Sequence, residues 1–300
     1  MNTLQTGARR PGLAWPWICA LWLSVGLPGG ARAGESAGQD AVPLWEFGLF
    51  NTASRIPDYR GSDEYTTYLI PFPYFIYRGD ILRINRSGVK AVFLQTERLQ
   101  SDVSLSGNPP VRHNEARGGM PDLDAIGELG PALRVLFAPR GSPRMLYLET
   151  SVRGAFSGDW EDGPTVGYEG LSGGIRLTYF SRLTPGESSW GHGLSLGADF
   201  ADSSYNNYFY GVDDDYARPD RPAYRSPGGY AGAWLSAYVV RRFTRNLSFA
   251  TFVRWDHLDG AAFEDSPLVR DRDNLIVACA LTWTLAESTL SVTSDEPEDE

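Results

Sequence analysis

The sequence contains almost no cysteine, and beyond its first thirty residues it has no long apolar run. Only Cys19 and Cys279 occur in the 300 residues. Cys19 lies in an apolar N-terminal stretch, and the one other cysteine can form neither an internal disulfide nor a CxxC metal site. The mean hydropathy is −0.29, and no later stretch reaches the ~20 apolar residues of a spanning helix. A disulfide-rich scaffold and a helical membrane protein are therefore excluded, whereas a transmembrane β-barrel is not, since only alternate residues of its strands face lipid.

The chain also lacks a surplus of positive charge. It carries 27 Lys and Arg residues against 37 Asp and Glu residues, which gives a formal net charge of −10. Nucleic acid is not expected as a partner, because a phosphate backbone requires a basic binding surface.

The N-terminal residues have the pattern of a secretory signal peptide. Arg9 and Arg10 precede the apolar stretch 13–27, and the triplet 31–33 reads Ala-Arg-Ala, which matches an A-x-A cleavage site. The apolar stretch is shorter than a spanning helix, so an uncleaved anchor is the weaker interpretation. We expect residues 1–33 to be removed during export.

Apolar and polar residues alternate along much of the remaining chain. Between residues 275 and 285, large apolar side chains occupy every second position, and Ala and Thr occupy most of the others. The same period of two recurs in segments 129–137, 148–153, 171–179 and 247–256. Helical spacing is nowhere comparably sustained, so the pattern predicts an all-β fold.

The lengths of the connections distinguish a barrel from a β-sandwich. We expect about twelve strands between residues 44 and 285, with the third and fourth (80–86 and 88–95) the shortest. Every second connection is short and most of the others are long, as in bacterial outer-membrane barrels. The sequence therefore predicts an antiparallel transmembrane β-barrel of about 12 strands over residues 34–285. Its location would be the cell outer membrane of a Gram-negative bacterium, in contact with lipid and lipopolysaccharide.

Two segments depart from this regular pattern. Pro71 and Pro73 fall inside the second predicted strand, and because proline removes a ladder donor, we expect that strand to be irregular or bulged. Residues 286–300 are acidic and poor in apolar side chains. We expect them to form a disordered tail.

Several short motifs occur in a fixed order along the chain. They are PDYRGSD at 57–63, ELGP at 128–131, YFYGV at 208–212, SPGGY at 226–230 and DSPLV at 265–269. This ordered set resembles the MipA/OmpV family of outer-membrane proteins. The resemblance implies a barrel that holds a lytic transglycosylase together with a murein synthase, and it fixes location better than role. One departure is that such proteins usually end on an aromatic residue of the last strand, whereas here about fifteen residues follow it.

A group of charged residues shares the polar face of the predicted strands and forms the first candidate site. It consists of Arg134, Glu149, Arg153, Arg176, Arg254 and Asp256. Such a group could be a selectivity ring or a solute site. The alternative, which we favour, is a set of structural ion pairs that stabilises a closed barrel, because a lumen of a dozen strands is narrow.

Two loop motifs form the second candidate site. Their residues are Pro57, Tyr59, Gly61, Ser62, Asp63, Asp265, Ser266 and Pro267. A binding role is one interpretation. The other, which we favour, is that Asp and Ser beside Gly and Pro make turn and capping hydrogen bonds that order the loops.

Catalytic and metal-binding motifs are weak in this sequence. The three histidines, His113, His192 and His257, are not placed to converge, and no G-x-S-x-G elbow occurs. The acidic run 213–215 lacks the spacing of a calcium loop. We therefore expect no enzyme activity, no cofactor and no metal site.

The leading functional hypothesis is a non-catalytic scaffold for peptidoglycan-modifying enzymes, which would contact the short turns and the acidic tail. The alternative hypothesis is a narrow or gated channel for small solutes.

Overall fold

The computed structural model describes residues 41–78, 83–85, 88–89, 94–139, 142–159, 165–181 and 189–293. The predicted signal peptide lies outside these residues, as do the end of the predicted tail and most of the predicted third and fourth strands.

Antiparallel strands account for most of the described residues. In chain order they are β1 (Ala41–Pro43), β2 (Trp45–Pro57), β3 (Tyr65–Arg78), β4 (Arg83–Asn85), β5 (Gly88–Val89), β6 (Leu94–Gln95), β7 (Leu99–Asn108), β8 (Ala125–Leu136), β9 (Arg144–Asp159), β10 (Thr165–Ser181), β11 (Ser189–Ala201), β12 (Gly229–Thr244), β13 (Leu247–His257), β14 (Asp273–Glu287) and β15 (Ser291–Thr293). The loops within the described ranges contain one α-helix, α1 (Ser203–Tyr210), and two 3₁₀ turns, Glu115–Arg117 and Asp214–Tyr216.

Thirteen of the strands form one antiparallel sheet. Its order is β5-β4-β3-β2-β14-β13-β12-β11-β10-β9-β8-β7-β6, so the first long strand pairs with the last. All ten long strands contribute residues to one interior cavity, and the sheet therefore curves around a common space. The predicted number of twelve strands is not confirmed. Within the described residues, segments 80–86 and 88–95 supply only the short strands β4, β5 and β6.

The two faces of the sheet differ as the alternation in the sequence predicts. Large apolar side chains cover the outer face, where Leu69 is 74% exposed and Val152 is 55% exposed. On the inner face, Phe50 and Ala280 are 9% and 4% exposed. An apolar outer surface of this extent is not found on ordinary water-soluble monomers.

Among the described residues, no helix is both long enough and apolar enough to cross a membrane.

Strand β3 is continuous through both of its prolines. Its ladder with β2 runs from Trp45–Tyr77 to Pro57–Tyr65 without a shift of register. The expectation of a bulged strand is therefore wrong. A proline is tolerated where its missing N–H would lie on an edge of the sheet, away from the paired neighbour.

Ordered structure continues beyond the predicted boundary of the tail. Strand β14 extends to Glu287, and β15 pairs with β1 in a separate two-stranded sheet that ties the two ends of the described chain together. The composition of residues 286–293 did not reveal this, because the partner strand lies about 250 residues away in the sequence. Residues 294–300 lie outside the described part of the chain.

Large aromatic rings on the inner face lie against glycines of the neighbouring strand. The directly paired residues are Gly48–Tyr74, Gly193–Tyr238 and Gly197–Trp234. In each pair a Cβ added at the glycine would overlap the ring. The glycines therefore allow bulky rings to fit inside a curved sheet.

We expect Gly193→Ala to destabilise the fold, because the new methyl group forces the Tyr238 ring out of its position. The expected loss is about 1–3 kcal/mol of unfolding free energy. Urea titration of the refolded chain in detergent micelles, followed by tryptophan fluorescence, measures it. Gly154→Ala is the matched control, because its added Cβ comes no nearer than 3.3 Å to any atom, at the movable Phe156 ring. Equal losses in both variants would contradict this account.

Candidate functional site

The curved sheet encloses a cavity of about 390 Å³. On the side of strands β7 to β11 its wall is charged and rich in hydroxyl groups. On the side of β3 and β14 the wall is mostly apolar, and the adjoining strands β2 and β13 are mixed, since β13 also carries the charged residues Arg254 and Asp256. The apolar side includes Ile56, Ile70, Phe252, Ile276 and Ala278. The cavity is thus amphipathic across its width.

The first charged cluster is centred on Glu149 of β9. Register places this residue directly opposite Arg134 of β8 on one side and Arg176 of β10 on the other. Its carboxylate accepts hydrogen bonds from Arg134 Nε and, at 2.9 Å, from Arg176 Nη2. Arg134 also lies 3.5 Å from the buried carboxylate of Asp102 on β7. The four side chains form one chain of alternating charge.

The second cluster is centred on Glu128 of β8. Its carboxylate accepts hydrogen bonds from Arg153 Nε at 2.9 Å, from Ser172 Oγ at 2.6 Å and from Tyr205 Oη at 2.7 Å. Tyr205 belongs to α1 in a loop, so this contact joins the loop to the wall of the sheet. Burial and the neighbouring carboxylate raise the pKa of Tyr205 well above its ordinary value, and the phenol therefore remains a donor.

The third cluster is centred on Asp256 of β13, which is fully buried. Arg254 donates to it at 2.7 and 3.0 Å, and Arg60 Nε lies 2.9 Å from it. Arg60 also donates to Asp199 at 3.0 Å, although it comes from the loop between β2 and β3. The Arg254 guanidinium stacks on the Trp234 ring, 4.4 Å from its centroid.

The structure places all six sequence-predicted charged residues in the wall of this cavity, in three clusters rather than one ring. Arg134, Glu149 and Arg176 lie together, Arg254 and Asp256 lie together, and Arg153 lies in the remaining cluster. Among the described residues that line the cavity, five arginines face five carboxylates. The wall is therefore close to electroneutral, and the guanidinium groups are held by ion pairs.

Sequence reasoning did not identify the partners that come from distant segments. Arg60, Tyr205 and Asp102 are essential members of the clusters. Arg60 and Tyr205 lie in loops, where strand periodicity carries no information. Asp102 lies on the polar face of β7, and the alternation of polar and apolar positions alone could have placed it in the charged site.

The long loops pack into an ordered cap over one end of the cavity. We define the cap as residues 58–64, 109–124, 202–228 and 258–272. Its core contains Tyr59, Phe209, Tyr210, Leu258 and Phe263, all of which are buried. The rings of Tyr210 and Phe263 stack with their centroids 3.7 Å apart. The core makes the cap a small folded unit rather than a set of open loops.

The residues of the two predicted loop motifs lie within the cap. Tyr59 Oη donates to the Leu268 carbonyl at 2.8 Å, and Ser266 Oγ donates to the Tyr210 carbonyl at 2.7 Å. The Gly61 amide donates to Asn274, with Gly61 in the left-handed region at φ 96°.

The other motif residues divide into buried and exposed positions. Pro57 and Ser62 are buried and Pro267 is half-buried, while Asp63 and Asp265 are exposed. Ser62 Oγ accepts hydrogen bonds from Asn114 and from the Glu64 amide. These contacts order the cap and leave the two carboxylates facing outward.

Apolar side chains fill the opposite end of the interior, where the chain makes its short turns. We call this layer the floor. It contains Phe50, Tyr74, Ile76, Leu136, Met145, Tyr147, Phe180, Val240, Ala250 and Ala280. The cavity lies between the cap and the floor.

The three histidines lie apart from one another. His113 is exposed in the cap. His192 lies near the turn end of β11, with Nδ1 2.9 Å from Ser181 Oγ, and His257 lies at the loop end of β13, with Nδ1 2.8 Å from Asp273. Within the described residues, no group of three or more His, Cys, Asp or Glu side chains is arranged to hold a metal ion.

Comparisons with known proteins place the chain near one family. The family model described as "MltA-interacting protein MipA" matches residues 51–285. No curated protein matches the chain.

Three solved structures are similar over most of the chain. The outer membrane protease OmpT from Escherichia coli is 11% identical, with 84% of this chain and 99% of that chain covered and a TM-score of 0.25. The CymD monoaromatic hydrocarbon channel is 10% identical, with 82% and 68% covered and a TM-score of 0.21. The toluene transporter TbuX from Ralstonia pickettii is 10% identical, with 82% and 70% covered and a TM-score of 0.24. TM-scores of this size do not establish a shared fold.

We expect Glu149→Gln to destabilise the protein strongly, because it leaves Arg134 and Arg176 without their common anion in a largely buried position. The expected loss is about 3–5 kcal/mol of unfolding free energy. Asp213→Asn is the matched control, since its pair with Arg225 is exposed, and it should change stability by less than about 1 kcal/mol. Urea midpoints of both variants check this, and an unchanged midpoint for Glu149→Gln would refute a structural role of the cluster.

Proposed function

The chain belongs to the MltA-interacting protein MipA family, and on this premise we propose that it is an outer-membrane β-barrel that acts as a scaffold for peptidoglycan-modifying enzymes. In this proposal residues 1–33 are a cleaved signal peptide and residues 34–285 form the barrel.

The surface of the sheet supports a membrane location. Apolar side chains cover the outer face, and exposed aromatic side chains concentrate near both ends of the strands, as in the girdles of outer-membrane barrels. At the turn end these are Phe47, Phe75, Trp190, Phe243 and Trp283. At the loop end they are Phe156, Tyr168, Phe200 and Trp255.

The observation that carries the scaffold proposal is that both ends of the interior are filled. The cap covers one end with its own apolar core, and the floor fills the other end with aromatic and aliphatic side chains. Passage along the axis would require displacing one of these layers, at the free-energy cost of exposing well-packed apolar side chains. A rigid, closed barrel instead offers its end surfaces for binding.

The turn end is the surface that would face the periplasm and its enzymes. Pairing of β1 with β15 orders it, and its turns carry the exposed side chains of Glu97, Arg98, Arg144 and Arg245. The description of the matching family calls MipA an MltA-interacting protein. By this argument a lytic transglycosylase, and with it a murein synthase, would bind to the turns and to the acidic segment 294–300.

We expect charge reversal of the turns to weaken binding of purified MltA to the full chain in nanodiscs. The variant Arg98→Glu, Arg144→Glu and Arg245→Glu should raise the Kd at least about tenfold, equivalent to roughly 1.4 kcal/mol. Biolayer interferometry measures it. The matched control reverses three exposed cap arginines, Arg218, Arg225 and Arg270, and should bind like the native chain. Loss of binding in the control alone would overturn the proposed orientation.

A narrow channel is the second candidate function, favoured by the charged cavity between the cap and the floor. Here we expect no conductance in planar bilayers from the native chain or from Arg153→Ala, because the cap and floor remain in place in both. Discrete single-channel openings from the native chain would show that the layers move, and would make the channel the better hypothesis.

A further inference from the structure

Half of the arginines of the cap have no carboxylate partner, although the chain carries more acids than bases. These four are Arg117, Arg218, Arg221 and Arg270, and we call them the arginine cluster. In the part of the chain that the structure describes, none of the four forms an ion pair with Asp or Glu, whereas each of the other cap arginines does. The paired ones are Arg60, Arg112, Arg225 and Arg272.

Arg221 is buried, and its hydrogen bonds go only to backbone carbonyls. The residue is 3% exposed. Its Nη1 donates to the carbonyls of Ala116 at 2.9 Å and Gly118 at 3.1 Å, and its Nη2 donates to the carbonyl of Tyr216 at 2.9 Å. Among the described residues, its Nε has no acceptor. A buried charge without a counter-charge costs free energy, and a bound anion would offset that cost.

Arg117 is held in the same way at a short distance along the chain. The residue is 7% exposed, Nη1 donates to the Phe209 carbonyl at 2.9 Å, and Nη2 donates to the Pro121 carbonyl at 3.3 Å. Its Nε also has no acceptor within the described ranges. Two buried guanidinium groups of the cap therefore each keep one donor unsatisfied.

The electrostatics of both groups indicate a missing anion. Burial lowers the pKa of Arg117 and of Arg221, and repulsion by other members of the arginine cluster lowers each pKa further. Asp122 acts on Arg117 and Asp220 acts on Arg221 in the opposite sense, but these acids do not offset the burial. The charged form of each side chain is thus disfavoured where it stands, and an anion beside it would stabilise it.

Arg218 adds a third guanidinium group to the same place. Arg218 and Arg221 form a short antiparallel bridge in which each amide donates to the carbonyl of the other, at 2.8 and 3.0 Å. Side chains of directly paired residues lie on the same face. A Cβ added at Gly119 would overlap Arg218 Nη2, so Arg218 lies against the segment 116–119, whose carbonyls Arg221 bonds. The three guanidinium groups therefore converge on one turn of the cap.

The arginine cluster has a buried part and an exposed part. Arg117 and Arg221 are buried, whereas Arg218 and Arg270 are exposed. A ligand from solvent can therefore reach the exposed pair first. The planar fork of a guanidinium group matches the oxygens of a phosphate, which offers three acceptors and up to two negative charges at neutral pH. A carboxylate offers one charge and two oxygens, and the carboxylates of the cap itself do not pair with the cluster.

We propose that the arginine cluster is a binding site for a phosphate group at the exposed side of the cap. Two sources share this chemistry, namely free inorganic phosphate and the phosphorylated sugars of lipopolysaccharide. The second source rests on the membrane orientation of the proposed function, in which the cap faces the outside of the cell. The site itself depends only on the geometry of the cap and is independent of the scaffold role.

Isothermal titration of the full chain with inorganic phosphate tests the site. The chain is held in dodecyl maltoside micelles, which carry no phosphate, and sodium chloride of equal ionic strength is the reference. We expect saturable binding of one phosphate by the native chain. The double variant Arg218→Gln and Arg270→Gln should raise the Kd at least about tenfold, equivalent to roughly 1.4 kcal/mol. Both side chains are exposed, so folding is expected to survive, and circular dichroism checks it.

The matched control is the double variant Arg225→Gln and Arg272→Gln, which removes the same charge from the cap but at arginines that are paired with acids. It should change the Kd by less than about twofold, or roughly 0.4 kcal/mol. An equal loss of binding in both double variants would overturn the proposal, because it would show a general effect of charge. Absence of saturable binding by the native chain would also overturn it, and would leave the arginines as bonds that hold the backbone of the cap.

Competition distinguishes the two sources of phosphate. Lipopolysaccharide and the same lipopolysaccharide after enzymatic dephosphorylation are each added to the phosphate-bound chain. Displacement by the phosphorylated form alone identifies lipopolysaccharide as a ligand of the site, and displacement by neither form identifies a site for free phosphate. Equal displacement by both forms would contradict recognition of the phosphate group. Binding of MltA to the same chain, measured in parallel, separates a failure of this proposal from a failure of the scaffold.

Discussion

Glu149 lies between two guanidinium groups because three neighbouring strands are in register at its position. The cross-strand pairs Arg134–Glu149 and Glu149–Arg176 follow directly from the ladders of β8, β9 and β10. A slip of one residue in either ladder would turn an arginine to the apolar outer face and leave the carboxylate buried and unpaired. The ion pairs thus favour this register over its alternatives, and the cluster around Glu128, which joins β8 to β9 and β10, depends on the same alignment.

Which strand side chains face the interior and which face outward was predictable from the sequence, because side-chain direction alternates along a strand. The contacts made by loops were not predictable. Arg60 reaches Asp199 and Asp256 only because the loop between β2 and β3 folds inward, and no local pattern encodes that path. The pairing of β1 with β15 was missed for a related reason, since short strands with ordinary composition gain their stability from a partner far away in the sequence. The prolines of β3 were recognised as unusual, yet the sequence did not show that their missing donors leave the ladder with β2 intact.

The interior combines two properties that are rarely found together in a pore. It is lined by ten charged side chains, and it is filled at both ends by apolar layers. Ion pairs at all five guanidinium groups stiffen the wall, and the layers at the ends remove an axial path for solutes. These properties support the proposed scaffold role, in which the protein presents its end surfaces to other proteins.

The pairing of β2 with β14 has a consequence for how the protein is made. Phe50 pairs with Thr282, more than 200 residues later in the chain, so the first long strand emerges from the ribosome without its neighbour. Contacts of such sequence separation form slowly, since the entropy of closing a long loop is lost before the ladder compensates for it. Until the last strand is synthesised and delivered, the apolar faces of the earlier strands remain uncovered and prone to aggregation. The sheet is therefore completed only after synthesis of the chain ends.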